Sequence, residues 1–308
     1  MKKLFSLLVL CLCVFHLQAQ FVSMQIVEAY SPKNDIRSIS FDKAGNLFAA
    51  TYGGVYKQVN TGWQLVSDED TYLESFLIDG AGRLWMSGWG KGVYLAEKGT
   101  QIFERVKEIP TSANVLMEDM NGHIWAGLWQ GGVMMGEGNK WTNFAVKDNN
   151  LAGNSVLSLA CDSNNKIWIG TYLGLSSYDG KLWTSYTVNN SKLPDYIVYA
   201  LAAGKNNRIW AGTCKGVTLL NGKGEIEKTY DTSNSPLSDN VIISLVEDSK
   251  GRLWVGSYKG LDMFDGKNWK KYTTENSNLP DNRIQVMTLH NNKLYIGTSS
   301  GISVIDVK

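Results

Sequence analysis

The chain has 308 residues, of which 44% are apolar, 31 are glycine and 11 are tryptophan, against only 5 prolines. This length fits one large all-β domain or two ordinary domains, and the apolar fraction is too high for a disordered chain. The net charge is +1, and removing Lys2 and Lys3 with the N-terminal segment leaves 28 basic residues (30 − 2) against 29 acidic ones. This balance gives no reason to expect nucleic acid or an anionic membrane surface as a partner.

The first twenty residues have the pattern of a secretory signal peptide. A basic start is followed by an apolar run over residues 4–15 and by Ala19, a small residue at the expected cleavage point. The run is about a dozen residues, short of the ~20 needed to span a membrane. Cys11 and Cys13 each follow a leucine rather than a small residue, which argues against a lipid anchor. We therefore predict a signal peptide over residues 1–19 and an exported mature chain without a membrane span, periplasmic or extracellular.

One unit recurs along the rest of the chain. In each copy an aliphatic residue precedes an aromatic anchor, and a glycine with a following aliphatic residue comes six or seven positions after the anchor. The anchors are Phe48, Trp85, Trp125, Trp168, Trp210, Trp254 and Tyr295. Their spacings of 37 to 44 residues are typical of the four-stranded units of β-propellers. We therefore predict an all-β fold, a single seven-bladed β-propeller with four antiparallel strands per blade over residues 20–308.

Four strands, named a to d, can be predicted within each unit. Strand a alternates and ends in a turn with Asp and Gly or Asn, strand b carries the anchor, strand c follows the glycine, and strand d reads Trp-x-x-aromatic, as in Trp269 and Tyr272. All five prolines fall in the connections from d to the next a, where no ladder hydrogen bond is lost.

The two ends of the chain predict how the ring closes. The last unit stops after its strand c at residues 302–307, one strand short. The segment at residues 24–30 precedes the first strand a and is one strand in excess. The simplest account is that the N-terminal segment completes the last blade, which removes the exposed sheet edges that invite aggregation.

Several segments are similar to one known repeat. The runs Asn278-Leu279-Pro280-Asp281-Asn282, Trp168-Ile169-Gly170-Thr171 and Asp265-Gly266-Lys267-Asn268-Trp269 resemble the two-component regulator propeller repeat. That resemblance implies the propeller fold and a role like that of the periplasmic sensor halves of Bacteroidetes hybrid two-component systems, which are linked to sensing of glycan breakdown products. Those sensors carry two propellers, an immunoglobulin-like module, a membrane helix and a kinase, whereas this chain has one propeller and cannot signal across a membrane alone.

A candidate ligand surface follows from the strand directions. Because the strands alternate, the b–c turns and the d–a connections lie on one face of the ring, which we call the b–c face. The candidate ligand-binding residues at the b–c turns are Tyr52, Trp89, Lys91, Trp129, Gln130, Tyr172, Lys215, Tyr258 and Lys259. Aromatic faces beside polar groups suit a sugar ring, which offers C–H faces and hydroxyls. The same aromatics are also explained by packing between blades, and both interpretations stay open.

Catalytic and metal chemistry has little support in the sequence. His123 and His290, the two histidines outside the leader, adjoin a–b turns of different units, so we expect no histidine metal site and no cofactor. The acidic run at residues 68–70 could bind Ca²⁺, but it lacks the alternating oxygen ligands of an EF-hand and is better explained as a solvated loop. Cys161 and Cys214 are predicted at opposite ends of their strands and therefore unpaired.

Three functions are compatible with these patterns. The first is an exported, non-catalytic recognition propeller that binds an oligosaccharide or an envelope protein on the b–c face. The second is a propeller-type enzyme, a polysaccharide lyase or a lactonase, with its site at the channel mouth. The third is scaffolding in an envelope complex. Charged side chains facing the mouth would favour the enzyme, and an aromatic platform without buried charges would favour recognition.

Overall fold

A computed structural model of the protein describes residues 21–26, 31–60, 62–67 and 72–308. These residues form seven antiparallel sheets of four strands each, and the prediction of an all-β, seven-bladed propeller is confirmed. The predicted signal peptide at residues 1–19 and the acidic run at residues 68–70 lie outside the described residues. Among the described residues, no helix has the length and apolar character needed to cross a membrane.

The first four blades follow one another along the chain, each in the order a, b, c, d. Blade 1 comprises Ile36–Phe41, Leu47–Thr51, Gly54–Val59 and Gly62–Ser67. Blade 2 comprises Leu73–Ile78, Leu84–Gly88, Gly92–Ala96 and Glu104–Arg105. Blade 3 comprises Ala113–Glu118, Ile124–Leu128, Val133–Glu137 and Lys140–Phe144. Blade 4 comprises Val156–Cys161, Ile167–Thr171, Gly174–Tyr178 and Trp183–Tyr186.

The remaining blades keep this order, except that the last takes its strand d from the start of the chain. Blade 5 comprises Val198–Ala203, Ile209–Thr213, Gly216–Leu220 and Ile226–Tyr230. Blade 6 comprises Ile242–Glu247, Leu253–Ser257, Gly260–Phe264 and Trp269–Tyr272. Blade 7 comprises Ile284–His290, Lys293–Thr298, Gly301–Asp306 and Val22–Met24. The helical elements of the described residues are short: Pro32–Asn34, Val146–Asn149 and Lys205–Asn207.

Ring closure by the N-terminal segment is confirmed, but the segment differs from the predicted one. The pairing strand is Val22–Met24, antiparallel to residues 302–304, so among the described residues of the predicted segment 24–30 only Met24 pairs in the sheet. The prediction started two residues late, and residues 27–30 of the predicted segment lie outside the described ones. Phe21 anchors the strand: its ring is 4% exposed and packs edge-on against Tyr272 at 5.1 Å.

The a–b turns are stabilised by a carboxylate that also holds the anchor tryptophan. In blade 2, Asp79 Oδ1 accepts hydrogen bonds from the backbone N–H groups of Ala81 and Arg83, both at 2.9 Å. Its Oδ2 accepts the indole N–H of Trp85 at 2.9 Å and Nε–H of Arg83 at 2.7 Å. Burial raises the pKa of Asp79, but these hydrogen bonds outweigh burial and hold the pKa below its ordinary value. Blades 3, 4 and 6 repeat the bond to tryptophan.

In blade 5 the indole N–H of the anchor tryptophan has a different acceptor. Gly204 stands where blades 1 to 4 and 6 have Asp, and the indole N–H of Trp210 is accepted instead by Glu247 of blade 6 at 2.7 Å. The same carboxylate accepts from Arg208 Nε at 2.8 Å. A Cβ on Gly204 would lie 2.4 Å from Glu247 Oε2, so only glycine leaves room for the carboxylate. The buried indole is therefore satisfied across the blade interface.

Glycines in strand b let the blades approach closely. A Cβ on Gly256 of blade 6 would lie 2.6 Å from Cγ2 of Ile284, the first residue of the next blade. A Cβ on Gly212 of blade 5 would likewise lie 2.6 Å from Cγ2 of Ile242, the first residue of blade 6. In blade 1 the corresponding residue is Ala50, which is fully buried. The glycine of the Trp-x-Gly pattern is thus required by packing between blades.

The turn carboxylates give a prediction on stability. We expect Asp79→Ala to lower the free energy of unfolding by about 3 kcal/mol, because it leaves the buried indole N–H of Trp85 unpaired and frees two turn amides. The matched control is Asp42→Ala in blade 1, where the turn bonds are the same but the anchor is Phe48, which has no N–H group. The free energy of unfolding of Asp42→Ala should fall by about 1–2 kcal/mol.

Denaturant unfolding of both variants measures the difference. Because the folded-state pKa of Asp79 is lowered, its contribution is present above the unfolded pKa and is lost as the pH falls through the folded value. The gap between the wild type and Asp79→Ala should therefore close as the pH drops below about 4. Equal losses in the two variants would show that the indole bond contributes nothing.

Candidate functional site

The central channel opens on the b–c face into a polar and aromatic mouth. The strands a of neighbouring blades lie against one another around the axis and form the channel wall. The cavity has a volume of about 670 Å³ and reaches from the mouth to the middle of the ring. Trp89, Trp129, Tyr172 and Tyr258 from the b–c turns lie at its rim. Four of the nine predicted site residues therefore line the mouth.

Aromatic side chains pack against one another along one side of the mouth. The rings of Trp89 and Trp129 are 5.8 Å apart between centroids, and those of Trp129 and Tyr172 are 5.5 Å apart and nearly perpendicular. Tyr199 of strand a in blade 5 continues the row, 6.5 Å from Tyr172. We call these four residues the aromatic arc. Trp89 is 63% exposed, an unusual exposure for so large an apolar ring, which leaves its face accessible to a ligand.

A β-bulge at the start of every strand a supplies the inner ring of the mouth. In each blade the pairing of strands a and b shifts register after the first residue of strand a. Bulges re-aim a side chain, and here they place one residue per blade on the channel wall. These seven bulge residues are Arg37, Glu74, Asn114, Leu157, Tyr199, Ile243 and Gln285.

The bulge residues divide the mouth into two halves. Blades 7, 1, 2 and 3 contribute Gln285, Arg37, Glu74 and Asn114, all polar, which we call the polar arc. Blades 4, 5 and 6 contribute Leu157, Tyr199 and Ile243, whose side chains are largely apolar. The channel mouth is therefore amphipathic across its diameter.

Arg37 is at the centre of the polar arc. Its Nη2 donates to Glu74 Oε2 at 2.6 Å, and its Nη1 donates to Gln285 Oε1. Its guanidinium lies 5.0 Å from the centroid of the Tyr52 ring. Burial lowers and the Glu74 charge raises the pKa of Arg37, and the second effect prevails. The buried Nε of Arg37 has no hydrogen-bond partner among the described residues.

The network continues to one more carboxyl group. Gln285 Nε2 donates to Asp35 Oδ1, so Asp35, Gln285, Arg37 and Glu74 form one chain across blades 7, 1 and 2. Burial raises the pKa of Asp35, and the hydrogen bond from Gln285 and the charge of Arg37 only partly oppose it. The arginine thus has a carboxyl group on each side.

The apolar half carries a desolvated hydroxyl. Tyr199 lies close to the thiol of Cys214, the residue at the blade 5 b–c turn where blades 1 to 4 and 6 have an aromatic. Burial, together with Cys214 and Tyr172, raises the pKa of Tyr199 to about 12. Burial also raises the pKa of Cys214. Cys161 and Cys214 are both free thiols, as predicted.

The other predicted site residues lie outside the channel wall. Tyr52 packs beside it, 5.6 Å from the ring of Tyr72. Lys215 Nζ is 3.8 Å from Asp195 Oδ2, and Lys259 Nζ is 3.7 Å from Asp239 Oδ1, both on the outer part of the b–c face. Lys91 and Gln130 are exposed at the turns that carry Trp89 and Trp129.

The described histidines lie at the opposite end of the channel. His123 Nδ1 is 3.0 Å from Asp119 Oδ2 at the a–b turn of blade 3. His290 stacks on Phe41 at 3.9 Å between centroids, also beside an a–b turn. Over the part of the chain that the structure describes, no group of His, Cys, Asp or Glu side chains is arranged to hold a metal ion. The acid–base groups at the mouth are therefore carboxylates, tyrosines and a thiol.

The sequence analysis missed the polar arc, although a positional signal exists. Each bulge residue precedes its anchor aromatic by eleven positions in blades 1 to 6, as with Arg37 and Phe48, and by ten in blade 7, where Gln285 precedes Tyr295. Aligning the seven units on the anchor would have shown this column. Its residues differ in every blade, so a search for repetition passes over them.

The family comparison agrees with the motifs. The model for the two component regulator propeller matches residues 150–173 and 236–259, which confirms the resemblance expected from the sequence. Each match runs from a d–a connection through strands a and b to the b–c turn, in blades 4 and 6. No curated protein sequence matches the chain.

Several solved structures share the fold. The extracellular domain of a hybrid two component system of B. thetaiotaomicron is 21% identical, with a TM-score of 0.80 over 94% of this chain and 41% of that one. PorZ, a surface component of the type-IX secretion system of Porphyromonas gingivalis, is 18% identical, with a TM-score of 0.71 over 91% and 48%. Virginiamycin B lyase of Staphylococcus aureus is 10% identical, with a TM-score of 0.76 over 94% and 100%. This chain thus spans less than half of the first two.

The shifted hydroxyl of Tyr199 gives a prediction on pH dependence. The difference in phenolate absorbance between the wild type and Tyr199→Phe should show a transition at about pH 12, instead of the pH of about 10 at which a free tyrosine titrates. Because the folded-state pKa is raised, the stability contributed by neutral Tyr199 is complete below the unfolded pKa and is lost as the pH rises through the folded one. In Cys214→Ala the transition should move to lower pH. A wild-type transition at the ordinary value would show that water reaches the hydroxyl.

Proposed function

We propose that the protein is an exported, non-catalytic recognition propeller that binds a carbohydrate at the mouth of its central channel, on the b–c face. The observation that carries this proposal is that the aromatic arc and the polar arc line one cavity. Sugar rings present C–H faces that stack on aromatic side chains and hydroxyls that bind polar groups. A fold similar to extracellular domains of two component systems supports a place outside the cytoplasm and a role in sensing.

The geometry favours binding because the charged groups at the mouth are already engaged. The Glu74 carboxylate accepts from Arg37 at 2.6 Å and lies 3.5 Å from the Tyr52 hydroxyl. A general acid or base must be free to exchange a proton with the substrate. Held as an ion pair, Arg37 and Glu74 are fixed donors and acceptors, which is what recognition requires.

An enzymatic function is the second candidate, and one observation favours it. Charged side chains do face the mouth, and a lyase shares the fold. A histidine-to-alanine variant of that lyase is catalytically inactive, however, whereas the described histidines of this chain adjoin the a–b turns at the far end. Mass spectrometry of a bound oligosaccharide after long incubation discriminates the two: recognition leaves it intact, and a lyase or lactonase cleaves it.

A partner protein is the other occupant that this face could take. Exposed apolar side chains are frequent here: Tyr72, Leu173 and Tyr196 join Trp89 on the same face. PorZ, which has the same fold, belongs to a secretion system. A protein partner would cover the whole face, including these outer residues, whereas a sugar would contact the mouth alone.

The test is a thermal-shift screen against neutral and acidic oligosaccharides. A ligand that binds only the folded protein raises the unfolding midpoint. We expect Trp89→Ala and Trp129→Ala each to weaken binding by about 2 kcal/mol, roughly thirtyfold in Kd, because each removes a stacking surface. Trp89 is exposed, so its replacement should leave the unliganded midpoint almost unchanged.

The matched control is Leu182→Ala, which removes an exposed apolar side chain from a c–d turn on the opposite face. It should leave the ligand-induced shift intact. An unchanged shift in both tryptophan variants would exclude the b–c face as the binding surface. If no oligosaccharide in the screen raises the midpoint, and a protein binds this face through Tyr72 and Tyr196, the ligand is a protein partner and not a carbohydrate.

A further inference from the structure

The polar arc contains a partly exposed guanidinium beside a partly exposed carboxylate. The side chains of Arg37 and Glu74 are 25% and 21% exposed at the channel mouth, and Nη2 of Arg37 is 2.6 Å from Glu74. The two Nη groups carry four N–H donors, of which the hydrogen bonds to Glu74 and Gln285 use two, so N–H groups of Arg37 remain for a ligand acceptor. The donor and the carboxylate belong to one rigid ion pair, which fixes their relative position before any ligand arrives.

The charge around this donor is already balanced. Glu74 lies on one side of Arg37, and Asp35 lies on the other, bridged by Gln285. An anionic ligand group accepting from Arg37 would stand beside the Glu74 carboxylate, and like charges so close repel strongly. The position that an anion would take on this arginine is filled by the protein's own glutamate.

A hydroxyl group fits the same place without this cost. It can accept from an Nη–H group of Arg37 through oxygen and donate its own hydrogen to Glu74, because a hydroxyl is both donor and acceptor. Two hydroxyls on adjacent carbons can engage the two partners together. The b–c turns of blades 3 and 4 supply Trp129 and Tyr172 for the C–H face of the same ring.

We infer that the channel mouth selects an uncharged, polyhydroxylated ligand, a neutral oligosaccharide, with the Arg37–Glu74 pair as its specificity-determining contact and Glu74 as the group that rejects acidic sugars. This inference rests on the proposed recognition function and adds the ligand's charge class. It assigns a role in ligand specificity to two of the bulge residues, a role that neither the repeat motif nor the b–c turns indicate.

The experiment uses an array of immobilised oligosaccharides in which each neutral member has a uronic-acid counterpart of the same linkage. The wild type should bind neutral members at least about tenfold more tightly than their acidic counterparts. Glu74→Gln keeps the shape and an acceptor oxygen but leaves Arg37 uncompensated. This variant should lose the preference and gain affinity for acidic members, a gain that no purely structural defect produces.

The matched control is Glu227→Gln, which removes the same charge from an exposed position on the outer strand of blade 5. It should leave the preference unchanged. Arg37→Met removes the donor and should weaken binding to neutral members about tenfold, without any gain for acidic ones. Melting curves of all three variants confirm that each is folded before it is applied to the array.

The outcomes separate this inference from the proposed function. A wild type that prefers acidic members, or a Glu74→Gln variant with unchanged preference, overturns the inference while carbohydrate recognition stands. A wild type that binds no member of the array overturns both. Binding that survives Trp129→Ala but responds to Glu74→Gln would keep the ion pair as the specificity contact and remove the aromatic arc from the site.

Discussion

Three antiparallel residue pairs between residues 22–24 and 302–304 join the two ends of the ring, and the candidate site depends on them. Gln285 belongs to blade 7 and Arg37 to blade 1, so their hydrogen bond crosses the interface that these pairs close. Asp35 is linked to Gln285 across the same interface. Without closure, strands a of the first and last blades would part, and the polar arc would be divided at its centre.

Within a single blade, the residues that stabilise the fold are separate from the residue that lines the channel mouth. The turn carboxylate, the anchor aromatic and the strand b glycine recur because each satisfies a buried group or a close blade contact. The bulge residue recurs only as backbone geometry, and its side chain changes from Arg37 to Leu157 to Ile243 without disturbing the sheet. A propeller can thus vary its channel mouth one blade at a time, since the bulge side chain lies on the channel wall and the pairing of strands a and b does not depend on its identity.

The sequence was sufficient for the architecture and only partly for the site. Strand order, blade number and the turns follow from periodic residues such as Trp254 and Gly256, because repetition makes a weak local signal consistent seven times. The bulge residues escaped because they repeat in position and not in identity. Arg37 and Gln285 are 248 residues apart, and no local pattern predicts that the ring brings them together. The N-terminal strand was misplaced because three residues carry too little periodicity to fix a register.

The state of the mouth before binding also argues for recognition. The aromatic arc is held by ring contacts among its own members, from Trp89 through Trp129 to Tyr172, and the polar arc is held by its hydrogen-bond network. Groups fixed in this way lose little freedom when a ligand arrives, so more of the contact energy is available for affinity. A catalytic centre would instead need a group whose proton is free to move to the substrate, and Glu74 is committed to Arg37. The ion pair and the packed aromatics therefore form a rigid surface, as the proposed recognition of a ligand by its shape and hydroxyl pattern requires.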